Sequence, residues 1–276
     1  LAAYLALIGG FVNSAGFVLI GSFTSHVTGN VGRFATDIES QQLVAAGAAL
    51  TMIGAFFGGA FLASLIVESE LFERTPTAYG FALLGEALLL AAFTLLAAYH
   101  LTPHALTQDK LAILLCAAMG MQNSLVTRLS GAVVRTTHLT GVVTDLGIET
   151  ARWMRWWRVH HPRGGGQPTI SSHPLRERPV IAKIRLHAII VTMFTSGALL
   201  GSALGIWLRE HVMLLPSAAV AAGASYAFMT ARQAPLPRDP RPEARGLRLE
   251  RECRPPALGA RALRPPHLAQ AAGPRA

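Results

Sequence analysis

Charge is scarce in this sequence. Only 14% of its 276 residues are Asp, Glu, Lys or Arg, against about 25% in a soluble domain. With a mean hydropathy of +0.40, that shortfall excludes an ordinary water-exposed surface and points to lipid as the solvent. Cysteine is nearly absent. Cys116 stands in an apolar run and Cys253 in a polar tail. Neither belongs to a Cys-x-x-Cys pair, so a disulfide framework, thiolate metal binding and redox chemistry lack support. Also missing are a Walker A loop, a Gly-x-Gly-x-x-Gly after a strand, His-Glu-x-x-His and Gly-x-Ser-x-Gly. These gaps remove the signatures of nucleotide, zinc-protease and serine-hydrolase chemistry. No cofactor or metal is expected, and the chain is not expected to be an enzyme. The alternating ten-residue pattern of an outer-membrane barrel is absent too. The chain begins at Leu1 with no positively charged segment before its first apolar run, so no cleavable signal peptide is argued.

Long apolar runs are what the sequence has instead. A spanning helix needs about 20 mainly apolar residues. Six segments are candidates: Leu1–Phe23, Leu43–Val67, Ala78–Tyr99, the somewhat short Leu111–Val126, Ile184–Leu208 and Val212–Thr230. The expected class is an all-α multi-pass membrane protein, its transmembrane domain covering residues 1–230. Eighteen of the 24 Lys and Arg residues fall between 152 and 185 or from 232 onward. Basic loops face the cytoplasm. One helical hairpin lies between the two basic segments, so both take the same side. The basic loop 152–183 and the tail are therefore expected to be cytoplasmic, and the 68–77 loop with them. Trp153, Trp156 and Trp157 interleaved with Arg152, Arg155 and Arg158 suit an interfacial helix better than a nucleic-acid platform. The partner is thus the bilayer, with no nucleic acid expected. The tail 231–276, rich in Arg and Pro, reads as disordered.

The chain also repeats itself. Asn13-Ser14 followed by Thr24-Ser25-His26-Val27-Thr28-Gly29 returns as Asn123-Ser124 followed by Thr136-Thr137-His138-Leu139-Thr140-Gly141. A glycine-rich stretch, Gly54 to Phe61, matches Gly197 to Leu204. This divides the domain into repeat one, about 1–100, and repeat two, about 110–230. Three spans in each half is an odd number, so the halves insert with opposite orientation, an arrangement recurrent in transporters. Gly197, Gly201 and Gly205 line one helix face, and Gly54 with Gly58 does the same, a spacing that lets backbones approach closely in lipid.

The His-x-Thr-Gly segments each follow a span and end in glycine. They predict a helix break or re-entrant turn, tolerated at membrane depth only inside protein or beside a wet cavity. The candidate binding residues are His26, Thr28, Gly29, Asn30, His138, Thr140 and Gly141, with Asn13 and Asn123 behind them. His26 and His138 are expected to pair across the repeat axis, where imidazole carries protons or binds an anion. The alternative is that each His and Thr only caps a broken helix. Asp37, Asp145 and Glu86 are candidate acids for proton coupling. Glu86 sits mid-span, where a carboxylate is costly; protonation is one resolution, pairing with Arg33, Arg128 or Arg135 a second, and a structural hydrogen bond to Ser or Thr a third. Gln122 suits a hydrogen bond between helices.

The segment Phe23 to Asn30, Met121 to Ser124, and Arg135 to Gly141 together resemble the YoaK family of bacterial inner-membrane proteins, a class of unknown function. The resemblance covers about residues 1–230. It implies a multi-pass protein of the bacterial inner membrane and no particular substrate. The family pattern often has Asp where Asn13 stands here. The functional expectation is a transporter or permease for a small solute or ion. The alternatives are a non-transporting scaffold or sensor, and a membrane-embedded enzyme built on His26, His138, Asp37 and Asp145. A homo-oligomer is compatible with each.

Overall fold

The computed structural model describes residues 2–69, 76–99, 105–129, 139–160 and 181–233. Within them the chain forms eight α-helices: α1 Ala2–Ile20, α2 Val27–Glu39, α3 Leu43–Glu68, α4 Pro76–Tyr99, α5 Ala105–Leu129, α6 Leu139–His160, α7 Ile181–Leu208 and α8 Leu214–Gln233. A 3₁₀ turn, Arg209–Met213, joins the last two. No strand occurs among the described residues. This is an all-helical multi-pass membrane fold. Lipid offers no hydrogen bonds to the backbone, and a helix satisfies its own.

Five helical stretches have the length and apolarity to cross a bilayer: 2–20, 43–68, 77–98, 110–128 and 181–231. The last, 51 residues long, would measure about 76 Å if straight, over twice the ~30 Å hydrocarbon core. Arg209, at φ 50°, breaks it. α7 runs along α1, and α8 returns along α4. That stretch is thus two arms of a hairpin, matching the fifth and sixth spans expected from sequence.

Exposure runs opposite to that of a soluble protein. Trp207 is 84% exposed, and Phe57, Leu199 and Ile206 are 68% exposed, while the buried positions include Ala, Gly, Gln122 and Glu86. An apolar exterior over a small-residue interior suits lipid contact.

Contacts fix the helix directions. Leu7 and Phe11 face Gly197, Phe11 faces Gly201, and Ala15 with Val18 faces Gly205, so α1 and α7 run parallel. Ala117 faces Gly59, Ser64 Oγ lies 2.9 Å from Ser124 Oγ, and Arg128 Nη2 donates to Glu68 Oε1 at 2.7 Å. α3 and α5 are therefore parallel as well. α1 and α5 run oppositely: Gly16 meets Leu115, and Gln122 reaches back to Leu5.

The two parallel pairs share a pattern of contact. A Cβ on Gly10 would fall on the carbonyl oxygen of Phe194; one on Gly120 would fall on that of Phe56. A Cβ on Gly197 would strike the Leu7 carbonyl, and one on Gly59 the Ala117 carbonyl. Residues of α1 and their counterparts in α5 differ by 110 in number, and those of α3 and α7 by 138. The register differs from the glycine match read off the sequence. Gly54 and Gly58 have nothing within 4 Å of an added Cβ, so they do not pack. Gly59, with buried Ala63 and Val67, is the face that corresponds to Gly197, Gly201 and Gly205.

Between the spans the helices end where local chemistry dictates. Gly21 adopts φ 69°, and its N–H donates to the Phe17 carbonyl at 2.8 Å. This is the left-handed stop that glycine reaches without strain. Gln41, at φ 57°, turns the chain from α2 into α3. Pro76 opens α4, where its missing N–H costs nothing. α6 carries helix through Trp153, Trp156 and Trp157 to His160, the stretch of the basic loop that the tryptophans marked as helical.

Candidate functional site

The first His-x-Thr-Gly motif sits at a helix break, between Gly21 and His26. Asn13, midway along α1, fastens it. Its Oδ1 accepts from the Ser25 backbone N–H at 3.2 Å and the Ser25 hydroxyl at 3.0 Å. An acceptor placed inside a span thus stands in for the helical partner that the broken backbone lacks. Thr24 is 2% exposed, its methyl against Gly16, and its hydroxyl oxygen has no hydrogen-bond partner among the described residues.

His26 takes the N-cap position of α2, but its side chain makes no capping hydrogen bond. The ring is exposed, lies over Gly29 and meets Phe23 edge-on at 6.4 Å between centroids. A Cβ at Gly29 would collide with the imidazole Nδ1, so glycine there makes room for the ring. His26 thus holds the cap position through its backbone, its carbonyl accepting from the Asn30 N–H at 3.1 Å, while its ring caps nothing. Thr28 is exposed, and Asn30 is buried.

α2 is amphipathic in an inverted sense. Val31 and Ile38 are exposed on its outer side, while Asn30 is buried. Arg33 Nε lies 3.5 Å from Asp37 Oδ2, one turn on, an oxygen that is buried without a hydrogen bond among the described residues.

Of the second motif, His138 and the residues from 130 lie outside the described residues, and with them the expected pairing of His26 with His138. What is described begins at α6. Thr140 and Asp145 are exposed, Gly141 is partly buried, and Glu149 is buried with its Oε1 3.0 Å from Arg152. Asn123, which stands on α5 as Asn13 stands on α1, has a buried Oδ1 without a partner among the described residues. Among the described residues no three His, Cys, Asp or Glu gather as metal ligands.

Glu86 belongs to a different place. It is 0% exposed, and both carboxyl oxygens lack a hydrogen-bond partner among the described residues. The pairings weighed from sequence do not form with Arg33 or Arg128: Arg33 serves Asp37, and Arg128 serves Glu68. Arg135 lies outside the described residues. Gln122 bears out the expected bond between helices, its Nε2 donating to the Leu5 carbonyl at 2.8 Å.

Three residues escaped the sequence reading, Tyr4, Ser217 and His187, and Thr24 was read only as part of the motif. Tyr4 donates to the Ala219 carbonyl at 2.7 Å, and Ser217 to the Ala87 carbonyl at 2.8 Å. His187 is buried in α7 with Nδ1 unpartnered among the described residues. Its signal was available: an imidazole inside an apolar run is a functional candidate on cost alone.

Over 147 residues the chain is 30% identical to the UPF0700 transmembrane protein YoaK of Bacillus subtilis (strain 168). That alignment covers 53% of this chain and 64% of the relative's length. No solved structure matches. A family model described as "Protein of unknown function (DUF1275)" matches residues 1–226, and the chain belongs to that family.

Proposed function

We propose that this chain is a transporter or permease for a small solute or ion, built from two inverted three-helix repeats. The observation that carries the reading is the matched packing of α1 on α7 and α5 on α3. Both pairs are parallel, and both meet through glycine at backbone distance, Gly10 and Gly197 in one and Gly120 and Gly59 in the other. An odd number of spans per repeat gives opposite orientations in the membrane, and transporters of this build bind their cargo where the repeats meet. The binding residues would be His26, Thr28, Gly29 and Asn30 from one repeat and His138, Thr140 and Gly141 from the other. Asn13 and Asn123 would secure the two broken segments, and Asp37 and Asp145 would serve as accessory acids. The side carrying loop 152–183 and the tail would be the cytoplasmic face of a bacterial inner membrane.

The test is uptake into proteoliposomes from a defined mixture of amino acids, organic anions and monovalent cations, read by mass spectrometry. Wild type is expected to accumulate at least one component over empty vesicles, with His26→Ala and His138→Ala reducing it at least tenfold. Uptake equal to that of empty vesicles across the mixture, by folded protein, would contradict the reading and favour the scaffold.

A further inference from the structure

Apart from the His motifs, four helices converge on a group that the bundle leaves unpaired. Met121 of α5 lays its terminal methyl against Gly85 of α4, so the residues that follow, Gln122 and Glu86, stand on two helices in contact. Both are 0% exposed. Gln122 spends its amide N–H on the Leu5 carbonyl of α1, and its Oε1 has no partner among the described residues. Tyr4, beside Leu5, lies within electrostatic reach of Glu86, but its hydroxyl proton already goes to Ala219 of α8. Ser217 of α8 gives its own to the Ala87 carbonyl, next to Glu86. Among the described residues three buried oxygen acceptors, two on Glu86 and one on Gln122, are thus left unpartnered, while the hydroxyls of Tyr4 and Ser217 are spent on backbone carbonyls. What such a site lacks is a hydrogen.

We propose that Glu86 is a reversible proton-binding site that couples protonation to the packing of α4 against α5 and α8. In the packed state the carboxyl is neutral and supplies the missing O–H. When it loses its proton to water, the carboxylate requires hydration, so ionisation occurs only with a state in which these helices part. Uptake reverses this: the carboxylate takes one proton, and the core closes over the acid. Gln122 is a positioning residue, its Oε1 held as an acceptor because the amide is anchored on Leu5.

The other titratable groups around α4 do not compete for this role. On α5, Arg128 is tied to Glu68 of α3, Lys110 is exposed, and Cys116 packs with Met52 and Ala112. On α8, Tyr226 is exposed. In the 209–213 turn Arg209 pairs with Glu210, and His211 is exposed. The inference does not rest on the transport reading, since a proton-gated sensor would use the same acid.

The test uses the full chain in detergent or nanodiscs. Dicyclohexylcarbodiimide modifies protonated carboxyls from the lipid phase, and mass spectrometry locates the adduct. Labelling of Glu86 is expected to fall at least tenfold between about pH 5 and pH 9, while hydrogen exchange in α4, corrected for its intrinsic pH dependence, rises over the same interval. Glu86→Gln is expected to fold, to lose the adduct and to hold α4 exchange flat with pH. Arg135→Ala is expected to change neither. Flat labelling across the interval would mean a permanently neutral structural acid and would overturn the proposal. So would absence both of labelling and of the protonated-carboxyl infrared band in folded protein, which would mean a permanently ionised group. Protection by sodium chloride but not choline chloride would overturn it in favour of a metal-cation site, and loss of the pattern in Arg135→Ala in favour of an ion pair.

Discussion

Replacing Gly120 by alanine tests the close packing at one atom. The new Cβ would fall on the Phe56 carbonyl oxygen, 2.9 Å from the Phe56 carbonyl carbon and 3.1 Å from the Ala60 nitrogen. All three are backbone atoms of α3 and cannot rotate away, so α5 must move out by on the order of 1 Å. A gap of that size forfeits a quarter to a half of a well that is about 0.1–0.2 kcal/mol per atom pair, which over some tens of pairs comes to roughly 2 kcal/mol. That lies within the 1–3 kcal/mol typical of overpacking. Alanine returns up to about 1 kcal/mol through helix propensity, leaving a net loss of about 1–2 kcal/mol. Gly54→Ala, four residues from Gly58 on the outer face of α3, meets nothing within 4 Å and should be neutral or stabilising by up to about 1 kcal/mol. Equilibrium unfolding in mixed micelles with increasing sodium dodecyl sulfate measures both. The reasoning predicts opposite signs, and equal shifts of the same sign would refute it.

Other outcomes follow from single contacts. Gly10→Ala and Gly59→Ala should match the loss at Gly120→Ala within about 0.5 kcal/mol, since each meets a carbonyl in the same manner; unfolding midpoints compare them directly. Asn13→Ala removes two hydrogen bonds from Ser25 and should cost about 2 kcal/mol, whereas Asn13→Asp keeps the acceptor and should recover most of it; exchange of the 21–26 amides reports the difference. Gly21→Ala, at φ 69° with open space around it, should cost about 1 kcal/mol from backbone strain alone, again by unfolding. Arg128→Ala breaks an exposed pair with Glu68 and should change stability by no more than about 1 kcal/mol.

Much of the fold was legible from apolar length, because lipid imposes one rule on every span. The packing face of α7 was legible too: its only three glycines, Gly197, Gly201 and Gly205, recur every four residues and define a single glycine stripe. α3 was not. It offers two small-residue series, Gly54 with Gly58 and Gly59 with Ala63, and only the position of α5 selects the second. The bond from Gln122 could be read because an amide inside a span must find a partner. The company of Glu86 could not, because charge alone suggested Arg128, whereas the parallel register of α3 and α5 delivers that arginine to Glu68 at the helix ends. For the first His motif, sequence located the break, while the fastening of Ser25 by Asn13 came only from the structure. The left-handed stop at Gly21 and the seating of the His26 ring on Gly29 depend on backbone geometry, and composition does not encode them.

The account's central claim is that the two halves cross the membrane in opposite senses through six spans. Single cysteines at Ser40, Ser69, Arg155 and His211, in a Cys116→Ala, Cys253→Ala background, can be labelled in intact cells with an impermeant maleimide. The account predicts that Ser40→Cys and His211→Cys react from outside, and that Ser69→Cys and Arg155→Cys react only after permeabilisation. Ser40→Cys and Ser69→Cys reacting from the same side would mean that α3 does not cross, and the inverted architecture would be wrong.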